Sequence, residues 1–364
     1  MLESRPNLIT RIVKKITAML GEKPAPHQLY AYVSNQGGNS ISQYSVDTNG
    51  SLAPLPIASI ATGRTPVHIA ITPSASHAYV ANQGENTLSQ YRINEQGSLA
   101  PLASPVAAGT TPVAIAIDPL GRYVYVANSS SNELSQYWAG KDGVLQGMTP
   151  ATIPTGVIPV AVTVDPGGKY VYVVNNGSED ISQFAITDTG SLQPMTPATV
   201  KTGAGPRAIA IDCMGKYAYV VNRTSCDISQ YAIAENGNLT PFGAAVVTGK
   251  HPISLCLAPS GKFAYAVNQN DNNISQYRVD ENGCLQPLTP ATVASLVTPV
   301  YMTIAASGAY AYVSNIVSNN VSQFEIDEHG SLKPIPLNKW GDATIKAGVS
   351  PRSVALASKN VTLS

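Results

Sequence analysis

Residues Tyr170 to Phe184 read YVYVVNNGSEDISQF, and this stretch decides the fold because the chain repeats it. Six relatives share its pattern: YAYVSNQGGNSISQY from Tyr30, HAYVANQGENTLSQY from His77, YVYVANSSSNELSQY from Tyr123, YAYVVNRTSCDISQY from Tyr217, FAYAVNQNDNNISQY from Phe263 and YAYVSNIVSNNVSQF from Tyr310. The serine of each Ser-Gln pair falls at 42, 89, 135, 182, 229, 275 and 322, a period of 46 or 47 residues. A period of that length built from strand-like units predicts a radial array of small sheets, so seven copies predict an all-β, seven-bladed β-propeller of four-stranded blades.

The third copy shows how one blade is written. Val113 to Ile117 is apolar throughout, as expected of an innermost strand covered on both faces. Asp118-Pro-Leu-Gly121 supplies a turn, Tyr123 to Ala127 a second strand, Asn128 to Asn132 a polar loop, and Leu134 to Trp138 a third strand. A glycine hairpin at Gly143, with counterparts at Gly50, Gly97, Gly190, Gly237, Gly283 and Gly330, leads into the outermost strand. The copy at Tyr30 lacks a preceding inner strand, whereas Ser350 to Leu356 is an inner strand with nothing after it. The two ends are therefore expected to complete one blade and leave no open sheet edge.

This gives three parts: an N-terminal extension at 1–26, a propeller at 27–359 and a tail at 360–364. In the extension, Leu8, Ile9, Ile12, Val13, Ile16, Met19 and Leu20 share one helical face, which predicts an amphipathic helix suited to packing on the propeller, to a membrane surface or to a protein partner. It is too short and too charged to span a bilayer, and no transmembrane segment or secretory signal is expected.

Lys and Arg number 22, as do Asp and Glu, so no global field draws the chain to nucleic acid. Cys213, Cys226, Cys256 and Cys284 occupy two repeats at non-equivalent positions and read as free thiols, which points to a reducing, cytoplasmic setting. The histidines at 27, 68, 77, 251 and 329 are scattered among repeats, and neither a metal site nor a cofactor is expected.

Because the copies act as internal controls, a residue present in all of them serves the blade, and one that breaks the pattern marks a site. The Asn set at 35, 82, 128, 175, 222, 268 and 315, the Ser-Gln pairs and the paired tyrosines read as structural. After the recurring proline most copies continue Val-Ala, but others depart, as Val67-His68, Arg207-Ala208, Ile253-Ser254, Val300-Tyr301 and Arg352-Ser353. Arg64, Lys250 and His251 precede their prolines, and Arg223 follows Asn222, so one face should be positive near its axis within an acidic rim. Two pockets for a small anion are expected. One gathers Tyr301, Arg352, Ser353, Arg64 and His68; the other gathers Arg207, Arg223, Lys250 and His251.

The repeated run of a proline, an inner strand, a turn such as Asp165-Pro-Gly-Gly-Lys-Tyr170, and a closing Gly-x-Leu-x-Pro resembles the lactonase-like seven-bladed propellers, including the propeller type of 6-phosphogluconolactonase, the carboxymuconate cyclases and the YVTN-repeat proteins. In the phosphogluconolactonase-like members the stretch matching Gly203-Ala-Gly-Pro-Arg207-Ala208 and Asn222-Arg223 carries a His and a Glu of the presumed active site. Here Arg207 matches, while Ala208 replaces the His and Arg223 the Glu. The loss of two acid-base groups favours a binding or scaffold role with a small-anion site, phosphate or sugar acid. The alternative is a lactone hydrolase, a carboxylic ester hydrolase, in which His68 serves as a replacement base together with Tyr301 and Arg352. A second alternative is a protein-interaction platform using the same face or the N-terminal helix.

Overall fold

The computed structural model describes residues 27–336 and 343–360; the helix expected within 1–26 lies outside the described residues. Seven antiparallel sheets form the ring, each ordered from an inner to an outer strand. Blade 1 closes as the chain ends foretold: the C-terminal strand Pro351–Asn360 is its innermost member and pairs with His27–Asn35. The remaining innermost strands are Pro66–Ile71, Pro112–Ile117, Pro159–Val164, Pro206–Ile211, Pro252–Leu257 and Pro299–Ile304, for blades 2 to 7. In blades 5 and 7 the outermost strand is split into two short pieces that both pair with the third strand. The closing strand continues through Asn360, one residue beyond the boundary drawn from the sequence.

The repeated residues hold the ring by two bonds that recur at every blade junction. Each Ser-Gln glutamine is buried, and its Oε1 accepts the first outer-strand N–H of the next blade, as Leu192 N–H to Gln136 at 2.8 Å and Leu239 N–H to Gln183 at 2.7 Å. One tyrosine of each pair is fully buried and donates its hydroxyl to the hairpin glycine carbonyl of the next blade, as Tyr125 to Gly190 at 2.6 Å and Tyr172 to Gly237 at 2.6 Å. The seam between the chain ends repeats both bonds, with Leu52 N–H to Gln323 at 2.6 Å and Tyr312 to Gly50 at 2.8 Å. Closure is therefore chemically the same at the seam as elsewhere. The hairpin glycine is required twice over at Gly190, where φ is +85° and an added Cβ would collide with the Tyr123 ring.

The asparagine ring is structural, as its sevenfold repetition implied. Each Nδ2 donates to the serine of the Ser-Gln pair on the neighbouring strand, for example Asn175 to Ser182 at 2.8 Å. A second asparagine, in the following loop, ties neighbouring blades together. Asn39, Asn86, Asn132, Asn272 and Asn319 accept the N–H of Thr65, Thr111, Ile158, Thr298 and Ser350, the residue before each inner-strand proline. Those donating positions all have positive φ, including the β-branched Ile158 at +55°, so the bond fixes a backbone turn that isoleucine ordinarily avoids. Glu179 and Cys226 replace that asparagine before blades 5 and 6.

Candidate active site

Each innermost strand begins with a β-bulge. Proline pairs with the ring asparagine, the next residue is skipped, and pairing resumes one residue later, as in Pro206 with Asn222 and then Ala208 with Val221. The same skip occurs in all seven blades, including Pro351 and Ser353 against Asn35 and Ser34. A bulge leaves the extra residue out of the ladder and re-aims its side chain. The skipped residues are Val67, Val113, Val160, Arg207, Ile253, Val300 and Arg352, two cations in a ring otherwise aliphatic.

The next ring inward is His68, Ala114, Ala161, Ala208, Ser254, Tyr301 and Ser353. Only His68 and Tyr301 are large. Ser353 lies between them in blade 1, and its small side chain lets the flanking rings meet edge to face, with centroids 5.7 Å apart at 74°. His68 Nε2 and Tyr301 Oη are 3.3 Å apart. On its other side, His68 Nδ1 accepts the backbone N–H of Ile115 at 3.3 Å. That bond occupies the Nδ1 lone pair, so the neutral imidazole carries its proton on Nε2 and donates to Tyr301. The residue expected from the sequence to act as a base is, in this arrangement, a donor. Burial lowers the His68 pKa to about 4 and pushes the Tyr301 hydroxyl well above its ordinary value, so both are neutral near pH 7.

Above this pair lies an axial cavity of about 310 Å³, lined by His68, Tyr301, Arg352 and Arg207 among mostly aliphatic neighbours. Beyond the second ring, the lining continues to Val162, Ile209, Leu255 and Met302 of blades 4 to 7. Burial, then Arg352 and Arg223, lowers the Arg207 pKa to about 10, and burial also lowers that of Arg352. Both remain cationic at pH 7. Among the described residues neither has a carboxylate within ion-pair distance. Two half-buried guanidiniums without a protein counter-charge fit an anion or a developing oxyanion.

The two pockets expected from the sequence are thus one. Arg207 joins His68, Tyr301 and Arg352 because bulge residues of non-adjacent blades converge on the axis, whereas the other expected members stand outside the cavity lining. Arg64 is 70% exposed and pairs with Glu85 at 3.4 Å, a solvated rim contact worth little. Arg223 and Lys250 are exposed on loops, and the Lys250 backbone N–H is held by Asp271 at 2.7 Å. His251 occupies the positive-φ position before Pro252, and its carbonyl accepts the Gln269 N–H at 3.0 Å. Ser353 is fully buried; it favours the ionised form of Tyr301 slightly, while no hydrogen bond of ordinary geometry reaches its Oγ. Ile115, Gln83 and Ser129 went unnoticed in the sequence, the first because it acts through its backbone and the other two because they follow the structural asparagines.

Fold and cavity together define a seven-bladed propeller with a cavity on its axis. A family profile described as "Lactonase, 7-bladed beta-propeller" matches residues 23–113 and 193–300, more than half of the chain. The chain belongs to that lactonase propeller family. No curated protein matches. Among solved structures, a putative 6-phosphogluconolactonase from Bacteroides fragilis superposes with a TM-score of 0.80 at 22% identity, covering 91% of this chain and 98% of that one. A putative 6-phosphogluconolactonase from Bacteroides uniformis gives 0.79 at 21% identity, covering 91% and 99%. The periplasmic gluconolactonase of Pseudomonas aeruginosa gives 0.75 at 21% identity, also covering 91% and 99%. At such identities the likeness is one of fold. Among the described residues no helix is long and apolar enough to cross a membrane.

Proposed function

We propose that the protein is a lactone hydrolase acting on small anionic lactones in the axial cavity, in preference to a purely binding or scaffold role. The observation that carries this reading is the convergence in one cavity of two guanidiniums without protein counter-charge and a neutral hydroxyl held by an imidazole. Family membership points the same way, and the related structures named as 6-phosphogluconolactonases or a gluconolactonase place lactones among the substrates to try.

The chemistry asked of the site is modest. Water adds to the lactone carbonyl carbon, and the oxyanion that forms is stabilised by Arg207 and Arg352, which are worth more in a half-dry cavity than in bulk water. As the ring C–O bond breaks, the ring oxygen takes a proton from the Tyr301 hydroxyl, which regains one from the attacking water. A phenol is a stronger acid than the alcohol it protonates, so a raised pKa does not bar this role. His68 Nε2–H donates to Tyr301 Oη and turns its O–H into the cavity. The product carboxylate then faces the same two cations.

The test is turnover of 6-phosphogluconolactone, glucono-δ-lactone and a γ-butyrolactone carrying one carboxylate, by the wild type and by Tyr301→Phe, Arg207→Gln and Arg352→Gln. The reading expects saturable hydrolysis of at least one of them, with kcat/KM reduced roughly a hundredfold or more in each arginine variant. Hydrolysis no faster than in buffer for all three would return the site to anion binding alone.

A further inference from the structure

We propose that the chain's own N-terminal segment, through the apolar face that its sequence gives to Ile12, Ile16, Met19 and Leu20, docks in a groove between blades 7 and 1, where one turn of the propeller is missing. In blades 2 to 7 a tight turn joins the innermost strand to the second, at the opposite end of the innermost strand from the bulge. These turns rest on one another around the ring: a Cβ added at Gly121, Gly168 or Gly215 would lie 3.4, 3.2 or 3.6 Å from Pro73, Pro119 or Pro166 of the preceding blade. Blade 1 has no such turn, because its innermost strand is the C-terminal one and its second strand begins at His27. Ala306, which holds in the blade 7 turn the place of Pro119 and Pro166, thus has no next turn to cover it, and it lines a cavity of about 580 Å³. Leu29, Val46, Ala305 and Tyr310 give this groove a buried or half-buried apolar lining, and the exposed Asp47 stands at its edge.

The occupant follows from where the chain enters the ring. Gln28 itself lines the groove, so residues 1–26 lead directly into it. Only Gly21 to Pro26 separate Leu20 from His27, a reach of at most about 25 Å, which holds the apolar face near the groove at a high effective concentration. Burying that face against the groove removes apolar surface from water on both sides. Charge agrees: Arg11, Lys14 and Lys15 accompany the apolar face, and Asp47 makes no ion pair among the described residues.

The experiment uses the full chain carrying Ala306→Cys and follows alkylation of the introduced thiol by peptide mass spectrometry. Cys213, an exposed native thiol at the corresponding turn position of blade 5, is the internal reference. A docked segment should slow alkylation at 306 by on the order of tenfold or more relative to Cys213. Adding Ile16→Asp and Met19→Asp should restore the rate at 306 and leave that of Cys213 unchanged. Ser307→Cys provides a second reporter should Ala306→Cys disturb the turn. Equal rates at 306 and 213 in the otherwise unaltered chain would overturn the proposal, as would protection at 306 that survives both aspartates. Protection that disappears on dilution would place a second copy of the chain in the groove and would equally overturn docking within one chain.

Discussion

The second strand and the innermost strand of each blade lie side by side, yet they follow opposite rules. Along the second strand every copy is alike: the asparagine bonds its serine and the buried tyrosine bonds the next blade's glycine, with the partner glutamines on the third strand completing each junction. Along the innermost strand the backbone is equally regular, with a bulge in all seven blades, but the side chains differ where they reach the axis. A bond made seven times stabilises the ring, and its loss at one junction weakens one seventh of a distributed clamp. A group that occurs once, such as His68 or Tyr301, adds nothing the other blades need. Repetition thus separates what folds the molecule from what the molecule is for.

The most severe way to break this comparison is to remove an element shared by both sets. Deleting Pro351–Asn360 takes away an innermost strand and opens the blade 1 sheet, so the truncated chain should show no cooperative thermal transition. A truncation that keeps a sharp melt would mean that closure contributes little.

The next contrast sets the axis against the clamp. Arg207→Gln or Arg352→Gln should cost about a hundredfold or more in kcat/KM while leaving the melting temperature unchanged or higher, because each change relieves repulsion between half-buried like charges. Gln183→Ala should do the reverse. It strands the Leu239 N–H in a buried site, at a cost of about 1–3 kcal/mol, with turnover preserved. Denaturant midpoints and steady-state kinetics on the same preparations would expose any crossover between the two classes.

Acid sharpens the contrast further. His68 titrates at about 4 in the folded chain against 6.5 in the unfolded one, so the unfolded state takes up this proton first as pH falls. The stability it contributes is complete above pH 6.5 and is lost as pH drops toward 4, by on the order of 3 kcal/mol at most. His68→Gln, which retains a donor for Tyr301, should flatten that limb of the stability profile. The smallest expected effect is Tyr172→Phe, about 1 kcal/mol, and Tyr312→Phe at the seam should match it, since the two hydroxyls make the same bond at 2.6 and 2.8 Å. A much larger loss at the seam would show that the chain ends meet less firmly than the covalent junctions.

The fold was legible because the evidence for it was printed seven times, and each structural assignment could be checked against six others. The glutamine and tyrosine rings needed only their repetition to be read as scaffold. The site was legible in part. The departures at His68, Tyr301, Arg207 and Arg352 stood out, but the sequence grouped them by neighbouring blades, whereas the bulge aims them at the axis, where blades 1, 2, 5 and 7 face one another. Both arginines occupy the same position after their prolines, which was the available signal. The proton position on His68 was beyond reach, because a backbone N–H three residues into the neighbouring inner strand decides it. The same limit hid Arg64, Arg223 and Lys250, whose charge placed them near the mouth while their loops turn them to solvent or to the rim.

The measurement that bears most directly on the central claim is the hydrolysis of a carboxylated γ-butyrolactone by the wild type, Arg207→Gln and Gln183→Ala at pH 7, each with its melting curve. The account predicts turnover in the wild type and in Gln183→Ala despite the latter's lower melting temperature, and loss of turnover in Arg207→Gln with the melt intact. Turnover that follows stability, or that is indifferent to Arg207, would contradict it.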